Sequence, residues 1–284
     1  MSWPDRASDP PVRSASLPTG TATWTEEGEG PTVVAIHGLP GSRHDFRWLA
    51  PALPDFRWVR TEQPGFGDAP TGRVGPGVGD LVAHLSAALD AAQVQQAVLV
   101  AHSFGAAVAA HLADALGARI QGLALLAPAG LRPHSLLRHQ RTARTLGSIA
   151  RVPVLGTALG HLLVPPYRAL GFRRASAAEA RRTFAVVGRW DWAGTRAVAD
   201  RLRARSLPAL VALAEDDPIV EPARTRLWAE HLGVAPVVWP DGGHTIQKTR
   251  ALDFATTFRA WHERLASPRD HRTARLVPGC DTRP

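Results

Sequence analysis

Short apolar runs alternate with helical patterns along most of the chain, and this alternation constrains the fold more than any other feature. Residues 32–36 (TVVAI) and 97–101 (AVLVA) are uncharged and contain β-branched residues, as is typical of strands buried on both faces of a parallel sheet. The sequence predicts further strands at residues 21–25, 57–61, 120–127, 209–213 and 236–239, and helices at residues 43–53, 79–92, 104–116, 222–232 and 250–265. Because single helices separate successive strands, we predict an α/β fold with a mostly parallel central sheet and helices on both faces.

One long segment breaks this alternation. Residues 131–206 contain helical patterns and proline breaks but no strong strand, and they are too many for a structureless loop within a compact domain. We therefore predict a helical subdomain here, inserted between core segments at residues 21–130 and 207–266. Residues 1–20 and 267–284 have no periodicity and are predicted to be disordered tails.

The net charge of +8 suggests an acidic partner such as nucleic acid, but the composition of that charge argues against one. Of the 33 basic residues, only Lys248 is a lysine. Such one-sided use of arginine, without a compact basic motif, favours codon bias in a GC-rich genome. The sequence therefore predicts no nucleic-acid partner.

Cysteine usage and hydropathy bear on the cellular location. Cys280 is the only cysteine, so no internal disulfide forms and no oxidising compartment is required. Residues 1–18 lack the apolar run of a signal peptide, and the chain has no stretch of 18 uncharged apolar residues that could span a membrane. We expect a cytoplasmic protein without a transmembrane segment.

The positive charge is concentrated in the predicted subdomain. Residues 131–205 hold 15 arginines and three acidic residues, a net charge of +12, whereas the rest of the chain holds 18 basic and 22 acidic residues, a net charge of −4. This charge would steer an anionic small-molecule substrate toward the site. Alternatively, it would rest on an anionic lipid surface through the apolar stretch at residues 152–167. A charged helical surface with neither role is the third alternative.

The first chemical motif is residues 101–105 (AHSFG). It follows the predicted strand at residues 97–101 and opens a helix rich in small residues, which is the setting of a nucleophile elbow. A sharp turn there lifts the side chain of Ser103 above the sheet, and the helix N-terminus directs partial positive charge at it. We predict that Ser103 is a catalytic nucleophile.

The second motif is residues 37–42 (HGLPGS), directly after the strand at residues 32–36. Acyl transfer builds negative charge on a carbonyl oxygen, and backbone N–H groups of a glycine-rich turn can stabilise that charge. We predict that the N–H groups of Leu39 and Phe104 form this oxyanion hole. His37 is interpreted as a structural histidine and not as a base.

The remaining catalytic candidates follow the last two strands. Asp217 comes after the strand at residues 209–213, and His244 follows the strand at residues 236–239. Side chains beyond the carboxyl ends of parallel strands meet at one edge of the sheet. His244 would accept the serine proton while Asp217 fixes the tautomer of its ring. Asp216 is the alternative acid.

Together these motifs resemble the α/β-hydrolase fold family, in its capped group of carboxylesterases, ring-cleavage-product hydrolases, cofactor-free haloperoxidases, haloalkane dehalogenases and epoxide hydrolases. The resemblance covers residues 21–265, includes residues 62–67 (EQPGFG), and implies that residues 131–206 form a lid over the active site. Dehalogenases and epoxide hydrolases of the family use an Asp nucleophile, whereas this elbow carries Ser103. Some relatives place the acid after the strand before the lid, but residues 126–130 (LAPAG) contain no carboxylate, which favours Asp217.

Three further residues are candidates for substrate contact, with core packing as the alternative: His102, Trp190 and Trp192. The histidines form no HExxH motif, so we expect neither a metal nor a cofactor. The sequence predicts a serine hydrolase that cleaves an ester-like bond of a small molecule through an acyl-enzyme intermediate. The alternatives are carbon–carbon bond hydrolysis of a diketone-type ring-cleavage product and a non-catalytic, ligand-binding member of the fold.

Overall fold

The structure is a computed structural model that describes residues 9–133, 140–169, 172 and 175–266. Its centre is an eight-stranded sheet with the strand order β1-β2-β4-β3-β5-β6-β7-β8. The strands are β1 (Val12–Leu17), β2 (Gly20–Glu27), β3 (Thr32–Ile36), β4 (Arg57–Thr61), β5 (Ala97–His102), β6 (Ile120–Leu126), β7 (Ala209–Ala214) and β8 (Val237–Trp239). Pairing is parallel from β4 through β8 and antiparallel at β1–β2 and β2–β4. This confirms the predicted mostly parallel sheet.

The helices of the core are α1 (Val78–Ala91), α2 (Gly105–Leu116), α7 (Pro222–Leu232), α8 (Ile246–Thr249) and α9 (Ala251–Ala266). Two apolar clusters cover opposite faces of the sheet. One contains α1, α2 and α7, and the other contains α9 and the segment after β3. Because the central strands bury both faces, their runs are continuously apolar and do not alternate.

The prediction of a disordered tail at residues 1–20 is wrong for β1. This strand forms an antiparallel hairpin with β2, in which Leu17 lies opposite Gly20. Ala15 and Leu17 pack against the core and alternate with serines. The alternation of apolar and polar residues that marks a strand is therefore carried by very few apolar residues here, which makes it hard to detect in the sequence. Residues 1–8 and the predicted tail at residues 267–284 lie outside the described residues.

The prediction of one helix at residues 43–53 is also wrong. The segment forms two short 3₁₀ helices, Arg43–Phe46 and Ala50–Ala52. Pro51 has no N–H group to continue a helix from the first turn into the second. The apolar residues still reach the core, because Phe46 and Leu49 are fully buried.

Four helices lie between β6 and β7: α3 (Gln140–Arg151), α4 (Pro153–Ala169), α5 (Ala177–Val187) and α6 (Trp192–Ala204). We call them the helical insertion. Helices α3 and α4 pack on α5, whereas α6 packs on α2 and α7 of the core. Among the described residues, no single helix is long and apolar enough to cross a membrane; α3 and α4 pass that test only as a pair bent by 120°.

Candidate active site

Ser103 occupies the sharp turn between β5 and α2. Its backbone has φ of +53°, in the left-handed region that few non-glycine residues adopt. The turn is held because the N–H of Ser103 donates to the carbonyl of Leu126 at 2.9 Å. Glycine is required beside it, since a Cβ at Gly105 would lie 2.4 Å from the carbonyl oxygens of Ile36 and His37. The small residues of the motif thus let α2 approach β3 closely.

Three predicted catalytic side chains form one hydrogen-bonded chain. His244 Nε2 lies 2.9 Å from the Oγ of Ser103, and His244 Nδ1 lies 2.8 Å from the Oδ2 of Asp217. All three residues are less than 10% exposed. An ionised Asp217 can only accept, so Nδ1 carries the proton and Nε2 is left to accept the hydroxyl hydrogen of Ser103. This is the arrangement that a general base needs.

The surroundings of Asp217 keep it ionised. Burial alone would raise the pKa of this carboxyl, but the hydrogen bond from His244 and the Coulombic attraction to that ring lower it, as do two backbone N–H groups. Those donors are Ile219 and Val220, at 2.8 and 2.9 Å from Oδ1. The net pKa lies below the ordinary value for aspartate. The alternative acid, Asp216, instead accepts a hydrogen bond from the N–H of Gly243 at 2.7 Å and is exposed.

The turn after β3 is built around His37. The N–H of Gln63 donates to His37 Nε2 at 3.0 Å, so the ring proton sits on Nδ1 and is donated to the carbonyl of Gly38 at 2.7 Å. Burial lowers the pKa of His37 to about 4, an effect that its bond to Gly38 only partly offsets. His37 is therefore neutral and shapes the turn. Gly38 lies close to the nucleophile, because a Cβ there would lie 2.8 Å from the Cβ of Ser103.

Two backbone N–H groups beside Ser103 make no hydrogen bond within the described part of the chain. They belong to Leu39, on the turn after β3, and to Phe104, at the start of α2. Both residues line the same cavity as Ser103. Since buried N–H groups are nearly always paired, unpaired donors at this place suit a developing negative charge.

A cavity of about 250 Å³ opens beside Ser103. The core contributes apolar residues from the loops that follow its strands, such as Ile219 and Val220, and the helical insertion supplies much of the remaining wall. The insertion residues are Leu163, Pro166, Tyr167, Thr183, Phe184 and Val187. His244 is the only titratable lining residue besides Tyr167, and no lining residue in the described part is an arginine or a carboxylate. Burial raises the pKa of Tyr167, so its hydroxyl is neutral.

The predicted substrate contacts at His102, Trp190 and Trp192 are not supported, because none of the three lines this cavity. His102 is buried, and its Nε2 lies 2.9 Å from the carbonyl of His244. Burial and the nearby His244 lower the pKa of His102 to about 3. Trp190 is 3% exposed and packs edge-on against Phe104 at 4.4 Å between ring centroids. Trp192 also lies edge-on to Phe104, at 6.3 Å between ring centroids, so all three side chains contact residues of the candidate site without lining its cavity.

Sequence reasoning missed the residues that form the wall of the cavity in α4 and α5. Tyr167 is the only tyrosine of the chain, and its ring lies 6.4 Å from that of Phe184. A helical pattern identifies an apolar stripe, but it does not tell which stripe faces a cavity. Among the described residues, no group of three or more His, Cys, Asp or Glu side chains could hold a metal ion.

Comparison with known proteins relates this geometry to other chains. A family model described as alpha/beta hydrolase fold matches residues 31–151. A haloalkane dehalogenase of Mesorhizobium japonicum is 33% identical over 144 residues, which are 49% of this chain and 46% of that protein. A dihydrolipoyllysine-residue acetyltransferase component of the acetoin cleaving system of Pseudomonas putida is 31% identical over 130 residues. These are 45% of this chain and 35% of that protein, so the matches span half of each relative or less.

Solved structures are similar over nearly the whole chain. A haloalkane dehalogenase from Bradyrhizobium elkani has a TM-score of 0.72 at 20% identity, covering 90% of this chain and 98% of its own. A thermophilic esterase from Thermogutta terrifontis has a TM-score of 0.72 at 18% identity, covering 90% of this chain and 100% of its own. At such identities the likeness establishes the fold. Chemistry has to be argued from the site.

Proposed function

We propose that this chain, which has the α/β-hydrolase fold, is a serine hydrolase that cleaves an ester-like bond of a small, apolar molecule. The observation that carries the proposal is the hydrogen-bonded chain from Ser103 through His244 to Asp217, beside two unpaired N–H groups. We also propose that the helical insertion acts as the lid, since α4 and α5 supply part of the cavity wall.

The reaction follows from this geometry. His244 Nε2 takes the proton of Ser103 as Oγ bonds to the substrate carbonyl carbon, and the carbonyl electron pair moves to oxygen. The N–H groups of Leu39 and Phe104 stabilise this oxyanion. When the intermediate collapses, the bond to the leaving oxygen breaks and His244 returns the proton to it. Water then attacks the acyl-enzyme by the same steps, releasing the acid and restoring Ser103.

Haloalkane dehalogenation is a poor match to this site, although two of the similar proteins carry that name. Displacement of a halide by the Ser103 oxygen would leave an alkyl ether on the enzyme. An ether lacks the carbonyl carbon that water attacks, so turnover would stop after one cycle. An Asp nucleophile forms a hydrolysable ester instead, and the family's dehalogenases have that residue at the elbow.

The cavity supports a small and uncharged acyl group. Its volume of about 250 Å³ lies just below the ~300–1,000 Å³ common for ligand pockets. No arginine occurs in the described lining, so the cavity gives no support to an anionic substrate. Steering of anionic substrates by the charge of the insertion stays a prediction. Carbon–carbon bond hydrolysis remains the alternative chemistry for the same catalytic residues.

A panel of substrates tests the proposal. Purified protein is assayed with chromogenic esters of increasing acyl length, a diketone-type substrate and a haloalkane. We expect kcat/KM to peak at a short or medium acyl chain, with no haloalkane turnover. Matched anionic and neutral esters in a salt series test steering, which predicts a selective loss for the anionic ester. Haloalkane turnover without ester turnover would overturn the proposal.

A further inference from the structure

Helix α4 has two apolar faces that meet different surroundings. Leu163 and Tyr167, four residues apart, line the catalytic cavity. Val154, Ala158 and Leu162 recur at the same spacing on the other side of the helix and are exposed to solvent. With Leu155, they form what we call the outer face of α4. An amphipathic helix on a globular protein normally presents polar residues to water, so this face is unusual.

The exposed apolar residues are clustered and not scattered. Among the described residues, seven large hydrophobic side chains are strongly exposed, and four of them fall within residues 152–162. Val154 is 79% exposed, Leu162 73% and Leu155 56%. Single exposed apolar residues need no explanation, but a cluster on one helix marks a contact surface.

The charged residues of the two helices α3 and α4 have one sign. Residues 140–169, which form α3 and α4, contain four arginines and no acidic residue. Arg141, Arg144, Arg151 and Arg168 are all exposed. Val154, His161 and Arg168 follow each other at seven-residue spacing, so Arg168 borders the outer face.

Other arginines of the insertion bond to the core, whereas no such bond is seen for these four within the described part of the chain; Arg151 donates to Ser148 of its own helix at 3.3 Å. Arg201 pairs with Asp114 of α2 at 2.6 Å, and Arg205 donates to the carbonyl of Ala113 at 2.6 Å. Arg182 donates to the carbonyls of Pro64 and Gly75 in the core. Arginines of α5, and of α6 and its C-terminal end, therefore help to hold the insertion on the core. The arginines of α3 and α4 are exposed on the same pair of helices as the apolar cluster.

We propose that the outer face of α4 docks on an anionic lipid surface. Val154, Leu155 and Leu162 would enter the boundary between headgroups and acyl chains, while the arginines of α3 and α4 contact lipid phosphates. Self-association through the same face is disfavoured, because two copies would bring eight arginines together with no acidic partner from these helices. Docking would set the cavity wall against the lipid phase, where apolar substrates concentrate.

The test measures binding directly and does not depend on activity. Full-length Ser103→Ala protein is mixed with vesicles of phosphatidylglycerol or of phosphatidylcholine, and the bound fraction is measured by flotation. We expect binding to phosphatidylglycerol that weakens as salt rises, and at least tenfold weaker binding to phosphatidylcholine. The double variant Arg141→Gln/Arg144→Gln should weaken binding about 30-fold, from about 1 kcal/mol for each arginine.

A matched pair of substitutions separates this face from the general surface. Leu162→Asp should reduce vesicle affinity at least tenfold, whereas Leu252→Asp, on an exposed leucine of α9, should leave it within twofold. Circular dichroism confirms that both variants fold. No binding of the unsubstituted outer face to anionic vesicles, or equal effects of the two substitutions, would overturn the proposal. A dimer in sedimentation that Leu162→Asp dissociates, without vesicle binding, would assign the face to self-association instead.

Discussion

The core and the helical insertion contribute to the site in different ways. The core supplies every group proposed to react, and each is held by neighbouring backbone: Ser103 by Leu126, and Asp217 by the N–H groups of Ile219 and Val220. The insertion supplies apolar wall residues, and residues 131–205, which contain it, carry a net charge of +12 against −4 for the rest of the chain. In this account the core determines which bond breaks, and the insertion determines which molecules reach it.

The largest effect that separates the two regions is expected in the core. Asp217→Asn removes the charge that fixes and stabilises the His244 ring, so kcat should fall about 10⁴-fold for every ester. Its neighbour Asp216 accepts a hydrogen bond from the N–H of Gly243 and is exposed, so Asp216→Asn should lower kcat by less than about fivefold. Steady-state kinetics on both variants measure this difference. If Asp216→Asn caused the large loss of kcat and Asp217→Asn the small one, the acid that orients His244 would be Asp216 and not Asp217.

A substitution in the insertion should change selectivity without removing the chemistry. Val187→Phe adds volume to the cavity wall and should lower kcat/KM about tenfold to a hundredfold for the longest accepted acyl chain. An acetyl ester should lose less than about threefold. Val152→Phe, at an exposed position between α3 and α4 that does not line the cavity, is the control. An equal loss for short and long esters would break the proposed division between core and insertion.

The smallest expected effect concerns stability against pH. His102 has a folded pKa of about 3, so between about pH 6.5 and 4 only the unfolded state protonates it. The free energy of unfolding therefore falls as pH falls through this range, by about 1.4 kcal/mol per pH unit from His102. His102→Gln should make the slope of unfolding free energy shallower by about that amount in urea titrations. His161→Gln, at an exposed position of α4, is the control. Identical slopes for wild type and His102→Gln would contradict the buried, neutral state.

Where local pattern and tertiary structure agree, the sequence was sufficient to predict the fold. β3 and β4 begin and end at the predicted residues, because each is a short run rich in apolar, β-branched or aromatic residues that is bounded by turn residues. The prediction of one helix at residues 43–53 failed because Pro51 divides it. β1 was missed because its strand character depends on pairing with β2, a contact that a short sequence window does not contain.

The candidate site also has a part that the sequence predicts and a part that it does not. Ser103, Asp217 and His244 follow β5, β7 and β8, which run parallel in one sheet. Chain order and strand ends were therefore enough to predict that they meet, and their catalytic roles stay predictions. The wall of the cavity was not predictable. Leu163 and Leu162 are adjacent leucines of α4, and only packing decides that one lines the cavity while the other faces solvent.

The central claim is that Ser103 is an activated nucleophile, and labelling with a fluorophosphonate probe tests it most directly. The probe reacts with a serine whose proton is removed by a neighbouring base, so native protein should be labelled on the peptide that contains Ser103. Heat-denatured protein and Ser103→Ala should remain unlabelled, and Ser103→Ala should lose about 10⁴-fold or more of any esterase activity. An inert Ser103 in folded protein, or residual activity of Ser103→Ala within about tenfold of wild type, would contradict the account.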